Sequence, residues 1–295
     1  MKKAGYIAIV GRPNVGKSTL MNRILRQKLS ITCRKPQTTR HQIVGVKTEG
    51  DVQAIYVDTP GIHNMNEKAI NRFMNKAATS VLSDVDVVIF IVEAMKWTDL
   101  ETSIIKKFEH LEIPVILVIN KVDQVKPKAN VLPFLEKVSK RYAFQTVVPL
   151  SAKNGQQVDT LESIVADLLP ENEFIYDEDQ VTDRTERFLV SEIIREKLMR
   201  SLGEEVPYQL TVQIDQFSHD EHKKIIDISA TILVERPSQK SMIIGGKGQK
   251  LKQIGMDARK DIEAMLDSKV YLQLWVKVKE GWSDSDHALR SLGYE

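Results

Sequence analysis

Tyr6-Ile-Ala-Ile-Val10, followed without a break by Gly11-Arg12-Pro13-Asn14-Val15-Gly16-Lys17-Ser18, decides the fold of the first half of this chain. A short apolar run of this kind reads as a buried strand. The loop after it fits the Gly-x-x-x-x-Gly-Lys-Ser pattern, and a helical stretch opens at Ser18. Glycines at 11 and 16 let backbone N–H groups wrap phosphates, and the helix N-terminus adds the positive end of its dipole. Lys17 is placed to reach the β- and γ-phosphates, and the Ser18 hydroxyl to ligate Mg²⁺. A chance glycine-rich turn is the plainer alternative, but eight constrained positions between a strand and a helix make it a poor one. The loop alone implies a nucleotide without saying which.

Outward from this loop, the first 170 residues alternate apolar and amphipathic runs. Strands are expected at Tyr6–Val10, Gln42–Thr48, Gln53–Val57, Asp86–Val92, Val115–Ile119 and Thr146–Leu150. Helices are expected at Ser18–Gln27, Glu67–Leu82, Leu100–Leu111, Leu132–Arg141 and Val158–Leu169. Continuous Val/Ile strands separated by helices are the signature of a doubly wound, mostly parallel six-stranded α/β sheet. One connection, Glu49-Gly50-Asp51-Val52, is too short for a crossover and predicts an antiparallel edge hairpin.

Three further motifs stand at expected strand ends. Asp58-Thr59-Pro60-Gly61 offers a carboxylate to the magnesium shell and a Gly61 N–H to the γ-phosphate. Asn120-Lys121-Val122-Asp123 selects the base: the Asp123 carboxylate can accept from guanine N1–H and the 2-amino group, neither of which adenine presents. Asn120 can bond the purine edge, and the Lys121 stem can lie over the ring. Ser151-Ala152-Lys153 supplies a backbone N–H for guanine O6. Each short motif could be an ordinary polar loop, but four in order converge on one crevice for GTP or GDP. Thr38-Thr39-Arg40 precedes the edge strand and is the candidate closing loop, with Thr39 favoured as metal ligand and Thr38 next. Lys17, Thr39, Asp58 and Gly61 are the residues expected to carry hydrolysis. The residue after Gly61 is Ile62, which cannot orient water, so unaided hydrolysis should be slow.

After Pro170 five acidic residues fall within nine positions, and 171–181 reads as an interdomain linker. The rest, 182–295, follows the order helix, strand, strand, helix, helix, strand: a separate α+β unit with a C-terminal tail. Asp183 and Glu186 resemble a capping pair for its first helix, which should bury Leu189, Ile193, Ile194 and Leu198. The strands are expected at Tyr208–Phe217, Lys224–Glu235 and Val270–Lys279, and a helix at Lys250–Leu266. Ile243-Ile244-Gly245-Gly246-Lys247-Gly248 joins two helical stretches. Such a loop lets a single-stranded phosphate backbone approach closely, and Lys247, Lys250 and Lys252 add charge. A bare Gly-x-x-Gly is weak evidence. The helix–loop–helix setting and a basic run from Arg236 to Lys260, opposed only by Asp257, favour RNA over a solvated linker.

The 295-residue chain has a formal net charge of +2, so any nucleic-acid surface must be local. A single cysteine, Cys33, excludes an internal disulfide framework and fits a reducing compartment. No signal peptide is expected before the first strand, and no apolar run is long enough to span a bilayer. His219-Asp-Glu-His222 reads as a solvated turn rather than a metal site. Trp275 reads as core, Trp282 is left undecided, and the methionines from Met65 to Met74 read as packing.

With both halves read, Gly-Arg-Pro-Asn-Val-Gly-Lys-Ser, Gln37-Thr-Thr-Arg-His41, Asp-Thr-Pro-Gly-Ile, Asn-Lys-Val-Asp and Ser-Ala-Lys are similar to motifs of the Era family of bacterial ribosome-assembly GTPases. The C-terminal half resembles a type II KH domain. The resemblance covers essentially the whole chain. It implies GTP hydrolysis with Mg²⁺, binding of the 3′ end of small-subunit ribosomal RNA and a role in 30S maturation. It also implies a monomer in the cytoplasm with peripheral inner-membrane association, and K⁺ stimulation through the position of Asn14. The competing classes are a GTPase of the tRNA-modifying type and a membrane-recruitment GTPase. The first would carry a cofactor-binding domain and often a C-terminal cysteine, and the second a basic amphipathic helix; neither feature is found here.

Overall fold

The structure is a computed structural model, and it describes residues 1–33, 35, 38–62, 69–202, 210–220 and 224–293. The chain divides into two compact units, the second taking up Arg184–Glu295. In the first, strands β1 (Lys3–Val10), β2 (Ile43–Glu49), β3 (Val52–Asp58), β4 (Val87–Glu93), β5 (Val115–Asn120) and β6 (Thr146–Pro149) form one sheet in the order β2-β3-β1-β4-β5-β6. All pairings are parallel except β2 with β3. The exception is the expected hairpin, turned at Gly50 with φ +60°. Helices α1 (Lys17–Ile24), α2 (Ala69–Ser80), α3 (Asp99–Lys106), α4 (Val131–Ser139) and α5 (Val158–Leu168) connect the strands. Val87–Val92 and all of β5 are buried, as strands covered on both faces must be. Strand order reverses around β1, between β3 and β4, so the crevice outside the carboxyl end of β1 is the natural ligand position.

The acidic stretch after Pro170 is not a free tether. Lys3 pairs with Glu171, and Gly45 with Thr182, as isolated antiparallel bridges. The Val46 N–H donates to Val181 O at 2.8 Å, and the Thr182 hydroxyl to Val44 O at 2.7 Å. The buried Gln53 side chain accepts from the amides of Ile175 and Tyr176 at 2.8 and 2.9 Å. Unfilled edge-strand groups thus find partners in the linker, and the first unit extends to Asp183.

The second unit contains α6 (Glu186–Ser201), β7 (Leu210–Asp220), β8 (Ile225–Val234), α7 (Pro237–Ile244), α8 (Gln249–Leu266), β9 (Lys269–Val278) and a short α9 (Asp286–Ser291) that the sequence pattern did not announce. β8 runs antiparallel to β7 and parallel to β9, which requires the α7–α8 crossover. The cap of α6 is Thr185, whose hydroxyl accepts from the Phe188 N–H at 3.3 Å, rather than Asp183. Val190 and Met199 join Ile193, Ile194 and Leu198 in its buried set, whereas Leu189 is only half-buried. Trp275 also departs from expectation: it is 58 % exposed. β9 is an edge strand packed on α7 and α8, and Val270 and Val276 take the buried parity, leaving Trp275 on the other face. Trp282 is the buried one.

Candidate functional site

The carboxyl ends of β1, β3, β5 and β6 bring the four loops together. In the first, Asn14 and Gly16 are left-handed, with φ 63° and 108°. A Cβ at Gly16 would stand 2.3 Å from Asn120 Nδ2, so glycine is required on both counts. Lys17 is buried, and its Nζ donates to Gly11 O at 3.1 Å and Arg12 O at 3.0 Å, the loop's own carbonyls. Burial pushes its pKa down to about 8, with the Asp58 carboxylate pulling the other way.

The Ser18 Oγ lies 2.9 Å from Thr39 Oγ1, and Thr39 Oγ1 donates to Asp58 Oδ2 at 3.4 Å. Asp58 is fully buried and its Oδ1 has no donor in hydrogen-bonding geometry. Burial raises its pKa, while the Lys17 ammonium and the hydroxyls of Ser18, Ser30 and Thr39 act to lower it. A buried carboxylate oxygen lacking a donor, beside two hydroxyls, is a hard-oxygen set that fits Mg²⁺. Thr39 is buried and stands between Ser18 and Asp58, whereas Thr38 is half-buried. A Cβ at Gly61 would come within 2.7 Å of Pro13 Cγ, so this turn can lie against the phosphate loop only as glycine. The Thr59 hydroxyl donates to Ile9 O at 2.8 Å and ties the turn to β1. Ile62 is buried in the core cluster with Val10 and Phe90, which removes its side chain from any role with water.

Asn120, expected at the purine edge, serves here as a brace. Its Nδ2 donates to Val15 O at 2.8 Å, and its Oδ1 accepts from the Ala152 N–H at 2.9 Å. One side chain therefore links the phosphate loop to Ser151-Ala152-Lys153. Of the backbone N–H groups this loop offers to guanine O6, that of Ala152 is here engaged by Asn120. Lys121 donates to Asn14 O and to Glu93 Oε2, both at 2.8 Å, so it too is anchored to the phosphate loop. Asp123 is half-buried in the turn just beyond. Ser151 is buried, its O and Oγ accepting from the amides of Gly155 and Asn154.

Arg12 was expected among the nucleotide contacts. Its guanidinium instead pairs with Glu101 at 2.5 Å and Glu93 at 3.5 Å, leaving only its backbone to face a phosphate. Sequence reasoning passed over Glu93. Burial works to raise its pKa, but Lys121 and Lys96 outweigh it and hold it below the usual range. Its signal was a lone acid closing an otherwise apolar strand.

In the second unit, Gly245, Lys247 and Gly248 all have positive φ (68°, 51° and 76°). A Cβ at Gly246 or Gly248 would meet nothing within 4 Å, so the space above the loop is open. Lys247 and Lys252 are exposed and Lys250 is half-buried. Ile243 was expected to contact RNA, but it is fully buried among Ile254, Ala258 and Ile262 and anchors α7 instead. Ile244 is half-buried. Beside the loop runs a groove of about 400 Å³ that includes Leu251, Gly255, Met256 and Arg259 of α8 and Tyr271 and Leu274 of β9. The sequence reading missed these residues, because only tertiary packing sets α8 against β9. His219 lies exposed at the end of β7, and His222 falls outside the described residues. Among the described residues no group of three His, Cys, Asp or Glu could hold a metal ion, and no helix is long and apolar enough to cross a membrane.

Fold and site together define a guanine-nucleotide-binding P-loop GTPase joined to a KH domain. Residues 6–121 match the family model described as "50S ribosome-binding GTPase", and 205–283 match the KH domain model. GTPase Era of Ectopseudomonas mendocina is 56% identical over 294 residues, covering 100% of this chain and 98% of that protein. GTPase Era of Pseudomonas aeruginosa is 55% identical over 292 residues, covering 99% and 95%. Among solved structures, Era in complex with MgGDPNP and nucleotides 1506–1542 of 16S ribosomal RNA superimposes with a TM-score of 0.97 at 40% identity, covering 100% and 99% of the two chains. A variant of Aquifex aeolicus Era bound to GDP·AlF4⁻ gives 0.96 at 40% identity, covering 99% of each. The chain belongs to the GTPase Era family. It is a GTPase.

Proposed function

We propose that this protein couples GTP turnover to binding of single-stranded RNA at the 3′ end of 16S ribosomal RNA, in the cytoplasm, during assembly of the 30S subunit. The observation that carries the reading is the open space above Gly246 and Gly248, flanked by exposed lysines and continuous with the α8–β9 groove. A phosphate backbone can approach such a loop to van der Waals distance. The relative solved with 16S nucleotides 1506–1542 matches over the full chain, both domains included.

In the first domain Lys17 turns from the loop's own carbonyls to the β- and γ-phosphate oxygens, and the Gly61 N–H meets the γ-phosphate. Asp123 and the Ser151–Lys153 loop read guanine. Ser18, Thr39 and Asp58 would hold Mg²⁺, whose charge offsets that of the phosphates. With Ile62 buried, no side chain at that position orients water. Hydrolysis is therefore slow unaided and is raised by a partner or by K⁺ near Asn14.

The test replaces Gly246 and Lys247 together with Asp. Two carboxylates would then face phosphates at closest approach. Single-strand RNA binding in an anisotropy titration should be lost, while GTP binding is unchanged. Any residual RNA binding should show a salt slope shallower by about 0.7 per lost phosphate contact. Wild-type RNA affinity in this variant would move the RNA site elsewhere.

A further inference from the structure

The RNA groove ends at an edge strand whose other face is left open by the described residues. Along β9 the residues of outward parity, Lys269, Tyr271, Gln273, Trp275 and Lys277, are all exposed. Tyr271 is 56 % and Trp275 58 % exposed. Two open rings on one sheet face are the kind of platform on which bases stack. α7 and α8 pack against the other parity, where Val270 and Val276 are buried. Tyr271 lines the groove and also stands on the same row as Trp275. Four residues of strand put the two about 13 Å apart along β9. The Tyr271 hydroxyl accepts from Gln273 Nε2 at 3.2 Å, which steadies the first of the two rings.

Charge decides which partner suits this row. Lys269 and Lys277 flank the aromatics on the strand itself, and no acid shares their row. Across the sheet, Asp227 is opposite Tyr271, while Asp215 is engaged by the Thr231 hydroxyl at 2.6 Å. A row of lysine, tyrosine, glutamine, tryptophan and lysine matches a single strand whose bases stack on rings while its phosphates meet ammonium groups.

We infer that Trp275, with Lys277 and Lys269, forms a second RNA station on the open sheet face. It takes bases of the same strand after it leaves the groove over Tyr271. This rests on the groove binding RNA, as proposed above.

The experiment uses the full-length protein and two RNAs from the 3′ end of 16S ribosomal RNA. One is short enough to occupy the loop and groove alone, about four to six nucleotides. The other extends it by about six nucleotides on each side. Wild-type protein should bind the longer strand more tightly. Trp275→Ala should lose that gain, roughly 5- to 150-fold for one stacked base, and bind the short strand as wild type does. Trp275→Phe should retain most of the gain, since a ring remains. An equal gain from lengthening in Trp275→Ala and wild type would overturn the station. So would unchanged binding of the long RNA combined with lost association with 30S subunits, which would assign the face to a ribosomal protein. Failure of the groove reading is separately visible, because the Gly246/Lys247 double-Asp variant would then still bind the short strand.

Discussion

The nucleotide loop and the RNA loop are both glycine-rich turns that lead into a helix, yet they are built by opposite means. At the nucleotide site a Cβ on Gly11, Gly16 or Gly61 would collide with backbone or with Asn120 at 2.3–2.8 Å, and Lys17, Asp58 and Asn120 are buried. At the RNA loop Gly246 and Gly248 face empty space, and Lys247 is exposed. The first site is preorganised by packing, so that each loop holds the next. The second offers a backbone shape and charge and leaves closeness to the ligand. A compact triphosphate rewards a rigid, dry cradle, in which fixed dipoles act at low dielectric. A flexible single strand rewards an open platform that tolerates variation along the chain.

The comparison breaks most visibly at paired glycines. Gly16→Ala forces a side chain into a left-handed position and against Asn120, whose two bonds link three loops. Strain and lost bonds together should weaken GTP by about 3–5 kcal/mol, beyond a hundredfold. Gly246→Ala meets no atom and needs no left-handed residue, so it should change stability by less than about 0.5 kcal/mol. Nucleotide titration and thermal melting of both variants read the contrast. Equal effects would mean that the two loops are constrained alike.

A smaller effect tests the base reader. Asp123→Asn should cost GTP about 1.5–3 kcal/mol and favour xanthosine triphosphate, whose ring presents a carbonyl where guanine presents an amine. Competition between the two nucleotides measures it, and unchanged GTP preference would remove Asp123 from the base site.

The smallest effect is that of pH. Burial pushes the Lys17 pKa down to about 8, and a triphosphate bound beside it would favour the charged form. Below that pH the ammonium is already present, so affinity should be level. As pH rises through about 8, binding must take up a proton, and affinity should fall by up to tenfold per unit. Titrations at pH 7, 8 and 9 distinguish this from a level profile, which would mean that the buried ammonium stays charged without ligand.

Local pattern was enough for much of this molecule. Tyr6–Val10 with its loop, the Val/Ile runs and the four-residue Glu49–Val52 link carry their own geometry, because strand period, turn length and glycine sterics act within a few residues. The Gly245–Gly248 loop was legible for the same reason. Side chains that meet a distant partner were not legible in this way. Arg12 looked like a phosphate contact until Glu101, eighty-nine positions on, took its guanidinium. Ile243 looked like part of a ligand surface until α8 closed over it.

Trp275 and Trp282 show where the limit lies. Trp275 alternates with apolar neighbours, and alternation alone gave it to the core, whereas Trp282 stands among Glu280, Gly281, Ser283 and Asp284. Alternation says that neighbours point to opposite faces of a strand, but not which face will be covered. α7 and α8 cover the Val276 side of β9, so Trp275 is left facing out, while Trp282 is buried beyond the strand's end. The sequence by itself determined the elements, the short α9 apart, and their order, since these follow from short-range sterics and hydrogen bonding. Which face met which helix, which carboxylate claimed Arg12, and that Asn120 would bind two loops at once were decided only when the chain closed, because burial belongs to the assembled core and not to any one segment.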